Sequence, residues 1–162
     1  MLLNRNELNI PLIVVGKGKK YKEQIKEFIK QHGLEQEIIF LSEKPGSSFV
    51  PEADMYGIYQ SAVAMIYPSF FEGFGIPVLE ALFSRLPVIT SNVSCLPEVG
   101  GEGVYYVDPA SASQIAVAMK KIYSDKHFAA ALIEKGWLQA QHFTLEKSAA
   151  FVMNVYKNLC NH

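Results

Sequence analysis

Glu72-Gly-Phe-Gly-Ile-Pro-Val-Leu-Glu80 decides how this chain is read, because an apolar run stops just before it and a helix begins inside it. Ahead of it, Ala62-Val-Ala-Met-Ile-Tyr67 is apolar over a length that suits one buried strand. Within it, Pro77 stands where a helix tolerates proline best, since the missing N–H has no intrahelical partner there. The segment is therefore strand, tight loop, helix. Such a helix start turns unpaired N–H groups and the positive end of the helix dipole toward whatever lies in front, which favours a phosphate. Gly73 and Gly75 carry no side chains, so the main chain is open to close approach. The two carboxylates repel a phosphate but suit hydroxyls, from which they accept charge-assisted hydrogen bonds. Glu72 on the loop and Glu80 about one turn into the helix can face opposite ends of one ligand, a sugar at one and a ribose at the other, with a diphosphate between them. Taken alone, the same residues also fit a plain connection, with Glu80 solvated and Glu72 an acid favoured by the dipole.

Outward from this segment, strands and helices alternate. Residues 11–16 read as a buried strand, residues 21–32 as a charged amphipathic helix that Gly33 ends, and residues 37–41 as a second strand. Glycine, proline and serines between Ser42 and Pro51 predict a turn-rich loop, followed by a helix over 52–61. Past the Glu72 loop the pattern predicts a helix over 77–84 and strands over 87–90 and 103–107. Ser111 is suited to cap a helix reaching Tyr123, a second helix covers 126–142, and Thr144 caps a third that runs to the C-terminus. Parallel crossovers of this kind imply an α/β domain with an open parallel sheet of Rossmann type, helices on both faces and a helical tail. Ligands of such sheets bind beyond the carboxyl ends of the strands, where the Glu72 loop, Gly16 and Ser42 would gather.

With 162 residues, 49% hydrophobic content and a net charge of −1, the chain fits one globular domain over 1–162 and gives no electrostatic basis for binding nucleic acid. Lys17, Lys19, Lys20 and Lys22 form a local cluster that is either a solvated helix start or a phosphate-facing patch. Cys95 and Cys160 lack zinc-ligand spacing and make no disulfide framework, and His32, His127, His142 and His162 are scattered, so no metal or cofactor is expected. A reducing cytoplasmic location fits. No apolar run approaches the roughly 20 residues of a membrane span, and the first residues lack a leader pattern.

The stretch over 67–109 closely resembles the donor-binding half of retaining glycosyltransferases of family 4, which have the GT-B fold. The resemblance rests on an ordered set: Pro68-Ser69, Glu72 to Glu80, Val88-Ile-Thr-Ser91, Leu96-Pro-Glu-Val99 and Val107-Asp-Pro109. Weaker similarity runs from Leu12-Ile-Val-Val-Gly16 through Ile38-Ile-Phe-Leu41 to the tail. It implies that Glu72 contacts the transferred hexose and acts in catalysis. The amides of Gly73, Phe74 and Gly75 would lie against sugar and distal phosphate, and Ile76 and Val78 would present backbone groups to the diphosphate. Glu80 would take the ribose, and Gly16, Leu41 and Ser42 the nucleotide and its base. The donor is thus a nucleotide-diphospho-sugar, and residues 90–98 resemble members that use mannose in cell-surface polysaccharide assembly. Two departures stand out. The strand-helix unit that usually opens this lobe with an Arg and a Lys is not found before Leu12, where residues 1–10 look like the end of a preceding helix or its connection. The acceptor lobe is also missing, so the chain alone is expected to be inactive. Leu86 stands where the family often has a small residue, a difference of packing. Phe151, Val152, Val155 and Tyr156 form an apolar face on the last helix, which either packs on this lobe or stays uncovered and invites a homodimer. Two alternatives compete. An NAD-binding Rossmann domain is disfavoured because Tyr21 stands where the third glycine after Gly16 and Gly18 belongs; a non-catalytic or truncated partner module would keep the fold without the chemistry.

Overall fold

The computed structural model describes residues 2–4, 7–16, 20–43 and 52–160. The chain divides into two compact units, Met1–Ile58 and Tyr59–His162, with the boundary inside a helix.

In the first unit, β1 (Leu12–Val14) and β2 (Ile38–Phe40) pair in parallel, Ile13 opposite Ile39, and α1 (Lys20–Gln31) is the crossover between them. The end of α1 is set by Gly33, whose φ of 63° no side-chain-bearing residue adopts as readily. There the N–H of Gly33 bonds the Lys30 carbonyl and that of Leu34 the Ile29 carbonyl, and the buried Leu34 and Ile29 accompany this crossed pair of bonds. A 3-10 turn, Leu41–Glu43, follows β2, and another, Leu2–Asn4, lies near the beginning. The expected loop over 44–51 falls outside the described residues, as do Lys17 and Lys19. The helix α2 (Glu52–Ser61) links the two units in sequence.

The second unit holds the parallel strands β3 (Met65–Tyr67), β4 (Val88–Ser91) and β5 (Val104–Val107) in that spatial order. Its helices are α3 (Ile76–Phe83), α4 (Leu96–Gly100), α5 (Ala112–Ser124), α6 (Lys126–Ala140) and α7 (Leu145–Cys160). Ile66, Ile89 and Tyr105 stand in register and so share one pleat face, to which Val107 also belongs. This face packs against Ala118 and Ile122 of α5 and Phe128 and Leu132 of α6. The alternate residues Val88 and Val104 point to the other face; there Gly100 of α4 lies so close that a Cβ on it would sit 2.7 Å from Val104 Cγ2. α3 buries Val78, Ala81 and Leu82. Side-chain caps open α5, where Ser111 accepts from Gln114 N–H at 3.3 Å, and α6, where Asp125 accepts from Phe128 N–H at 2.9 Å. Thr144 does the same for α7, through Lys147 N–H at 3.4 Å.

Several expectations need correction. α3 begins one residue early, at Ile76, with Gly75 as its cap and Pro77 second. Leu96 to Gly100, which lie between the strands expected over 87–90 and 103–107 with no element predicted for them, form a short helix that Cys95 leads into. Leu86 is an ordinary core residue, and the unusual backbone belongs to its neighbour Arg85, at φ 55°. Arg85 is held there by an ion pair to Glu134 at 2.9 Å and by the Trp137 ring under its guanidinium. Of the two readings of the last helix, packing on this lobe is not what forms: α7 has no buried residue, and Phe151 is 73% and Tyr156 62% exposed.

Candidate functional site

Tyr67 ends β3, and everything after it is tied to the end of β4. The Thr90 hydroxyl donates to the Tyr67 carbonyl at 2.9 Å, and the Ser91 hydroxyl donates to the Ser69 carbonyl. Both hydroxyls are buried, so these bonds satisfy groups that would otherwise be costly there. The chain next turns outward through Phe70 and Phe71, both largely exposed, and reaches Glu72. Ser94, held at φ 58°, brackets the Glu72 peptide: its hydroxyl donates to the Glu72 carbonyl at 2.6 Å and accepts from the Glu72 N–H at 3.4 Å. The Cys95 thiol adds a weaker bond to the same carbonyl, at 3.3 Å.

The two acids are arranged alike. Tyr67 Oη donates to Glu72 Oε1 at 2.6 Å, and Tyr59 Oη, from the last turn of α2, donates to Glu80 Oε2 at 3.1 Å. Both carboxylates are half-buried, and each has one oxygen with no partner among the described residues. Burial, followed by the bond to Glu72 and the charges of Glu72 and Cys95, pushes the Tyr67 phenol up to about 12.

Between the acids, the N–H groups of Gly73, Phe74, Gly75 and Ile76 find no acceptor among the described residues. Four successive donors at a helix start form an anion-seeking array. Val78 does not join it, since its N–H already donates to the Gly75 carbonyl at 3.0 Å and its side chain is core. The two glycines differ. Gly73 is exposed with nothing within 4 Å of a Cβ added to it, which leaves room for a ligand. Gly75 is buried, at φ 94°, and an added Cβ would lie 2.9 Å from Leu96 Cδ2; backbone conformation and packing require glycine there. Phe74 is fixed by an edge-on contact with Phe143, ring centroids 5.7 Å apart.

In the first unit, Gly16 follows β1 in an exposed position at φ 153°, and Leu41 and Ser42 lie in the 3-10 turn after β2. Ser42 Oγ accepts from Lys22 Nζ at 3.1 Å, and Lys22 and Lys26 reach Glu43 at 2.7 and 2.6 Å. The Lys22 and Lys26 ammonium groups hold the Glu43 carboxyl below its usual range, so Lys22 is committed to this turn.

Tyr59, Tyr67, Ser94 and Cys95 escaped the reading of the sequence; only the polar end of Tyr67 on an apolar strand signalled a partner nearby. Elsewhere in the second unit, a cleft of about 340 Å³ lies at the amino end of the strands, lined by Val63, Leu86 and Ile133 with Arg85 and Lys126. Arg85 is paired with Glu134, and Lys126 lies over the Tyr123 ring. Among the described residues no three His, Cys, Asp or Glu side chains gather as metal ligands, and no helix is long and apolar enough to cross a membrane. Cys95 and Cys160 are free thiols.

Parallel strands joined by crossover helices, with the acid-flanked loop beyond a strand's carboxyl end, make this the α/β fold of GT-B glycosyltransferases. Anabaena Alr3699/HepE, solved in complex with UDP and glucose, superimposes with a TM-score of 0.80 at 18% identity, covering 99% of this chain and 43% of its own. The C-terminal domain of a glycosyl transferase group 1 family protein (LpcC) from Francisella tularensis gives 0.75 at 24% identity, covering 88% and 73%. The model of the glycosyl transferases group 1 family matches residues 1–138, and the chain belongs to that family. O-antigen chain mannosyltransferase B of Escherichia coli is 36% identical over 111 residues, covering 68% of this chain. The chain spans 29% of the length of that relative.

Proposed function

We propose that this chain is the C-terminal, donor-binding lobe of a retaining hexosyltransferase of family 4, and that its donor is a nucleotide-diphospho-sugar carrying mannose. The observation that carries the proposal is the run of four N–H groups from Gly73 to Ile76 without an acceptor among the described residues, flanked by Glu72 and Glu80. Amides accept the diphosphate. Glu72 engages hydroxyls of the hexose, and Glu80 those of the ribose. As the glycosidic bond breaks, positive charge grows at the anomeric carbon and negative charge on the departing phosphate, and donors already aimed at that phosphate stabilise the transition state without reorganising. The α3 dipole acts in the same sense, and the proposal assigns the role to main chain and dipole without a bound metal. Gly16, Leu41 and Ser42 are assigned to the nucleotide and base. Mannose is supported by the likeness to an O-antigen mannosyltransferase, and nucleotide binding by the UDP in the Anabaena protein.

The acceptor is taken by the other lobe of the complete enzyme, so this chain alone binds donor without transferring sugar. That lobe is also the occupant we assign to the apolar face of α7, on the ground that the chain accounts for so small a share of its mannosyltransferase relative.

Calorimetry with GDP and GDP-mannose, and with UDP and UDP-glucose, tests the reading. Glu72→Ala should lower affinity for the nucleotide sugar about tenfold and spare the free nucleotide, the scale expected for a hydrogen bond to a charged group. Glu80→Ala should weaken both ligands by a similar factor. Wild-type affinities retained by Glu80→Ala would remove the ribose assignment.

A further inference from the structure

We propose that Tyr67 and Tyr59 are positioning residues, each fixing one motif carboxylate by donating its phenolic hydrogen to a single oxygen so that the second oxygen is presented to the ligand. This rests on the assignment of Glu72 to the sugar and Glu80 to the ribose.

A glutamate side chain loses much of its rotamer freedom when it is immobilised, and a site that has already ordered its acids does not bear that cost again on binding. Both tyrosines are placed to do this. Tyr67 is the last residue of β3, paired with Thr90 in the ladder and bonded by it at the carbonyl, so its ring leaves a fixed backbone. Tyr59 is 7% exposed, in the last turn of α2. The choice of a phenol has its own consequence. An arginine or lysine would hold a carboxylate as firmly but neutralise it, whereas a neutral O–H uses one of about four acceptor sites and leaves the negative charge for hydroxyls. The 2.6 Å bond of Tyr67 is in the short range expected when the acceptor is ionised. The sugar-side and ribose-side acids are therefore served by separate clamps, 3.1 Å long at Glu80.

Separate clamps make a crossed prediction. Titrating the intact chain with GDP and GDP-mannose, and with UDP and UDP-glucose, Tyr67→Phe should weaken the nucleotide sugar about five- to tenfold and leave the free nucleotide unchanged. Tyr59→Phe should weaken nucleotide and nucleotide sugar by the same factor. A purely structural role would show instead as equal losses for both ligands in Tyr67→Phe, together with a lowered melting temperature, and would overturn the proposal. It is overturned equally if both phenylalanine variants bind as wild type while Glu72→Ala and Glu80→Ala lose affinity, an outcome that leaves the donor-lobe reading standing. If the alanine variants bind as wild type, or the wild type binds neither pair, the donor-lobe reading itself falls and this proposal with it.

Discussion

Glu72 is held at three atoms: Oε1 by Tyr67, the carbonyl by Ser94 and Cys95, and the N–H by Ser94. One of these contacts makes the stability of the chain depend on pH. The Tyr67 phenol has its ordinary value of 10.0 in an unfolded chain and about 12 when folded, raised by burial first and by Glu72 second. Between those values the native state binds more protons than the unfolded state, so stability is fully present below the lower value and declines as pH rises through the upper one. Tyr106, raised by burial where its hydroxyl donates to the Gly101 carbonyl at 2.8 Å, adds to the same decline. Denaturant midpoints measured at about pH 9 and about pH 11 should therefore fall for the wild type and fall less for Tyr67→Phe. An identical drop in both proteins would mean that the phenol is not buried against Glu72.

Elements meet closely where α6 passes the start of β5. A Cβ added to Gly103 would lie 2.3 Å from the Cα of Gly136, and one on Gly136 would lie 2.7 Å from Leu82 Cδ2 of α3. Two glycines thus let a helix touch main chain and bridge to α3. Gly103→Ala has no flexible neighbour to displace and should cost about 1–3 kcal/mol or more, read as a lowered melting temperature, whereas Gly73→Ala, with open space around it, should melt as the wild type does. This contact also marks what a sequence conceals. The alternation of strands and helices was legible because Pro77 and Gly33 punctuate it and because apolar runs of strand length separate charged helical stretches. The strands formed shorter than those runs, since only the residues that share a ladder count; β3 keeps just Met65 to Tyr67. The helix α4 was missed because five residues around Pro97 are too few to display a helical period. At the site, Glu72 and Glu80 were visible through their spacing. Their partners were not, because Ser94 and Tyr59 reach them across 22 and 21 residues, and the left-handed turn at Ser94 carries no glycine to announce it.

At the scale of the molecule, the two units differ in what they hold. The second contains the whole Glu72 loop with Tyr59 and Tyr67, while the first holds Gly16 and a turn around Ser42 that is braced by Lys22 and Lys26 on Glu43. The second unit also carries α7, which has no buried residue. Phe151→Glu combined with Tyr156→Glu should leave the melting transition of the chain where it is, because both side chains are mostly exposed, and should raise the monomer fraction seen by light scattering if copies associate through that face. A clear fall in melting temperature would instead show that the helix packs on its own unit; a dimer that persists in the double variant would place self-association elsewhere. The 16 residues of α7 have a further consequence. A helix of that length is marginal in water when no surface covers it, so its backbone order would rise with any surface that docks there. Amide hydrogens along α7 should exchange with solvent almost as fast as in a free peptide while the face is bare, and slow sharply once it is covered, which makes the tail of this chain a built-in reporter of assembly.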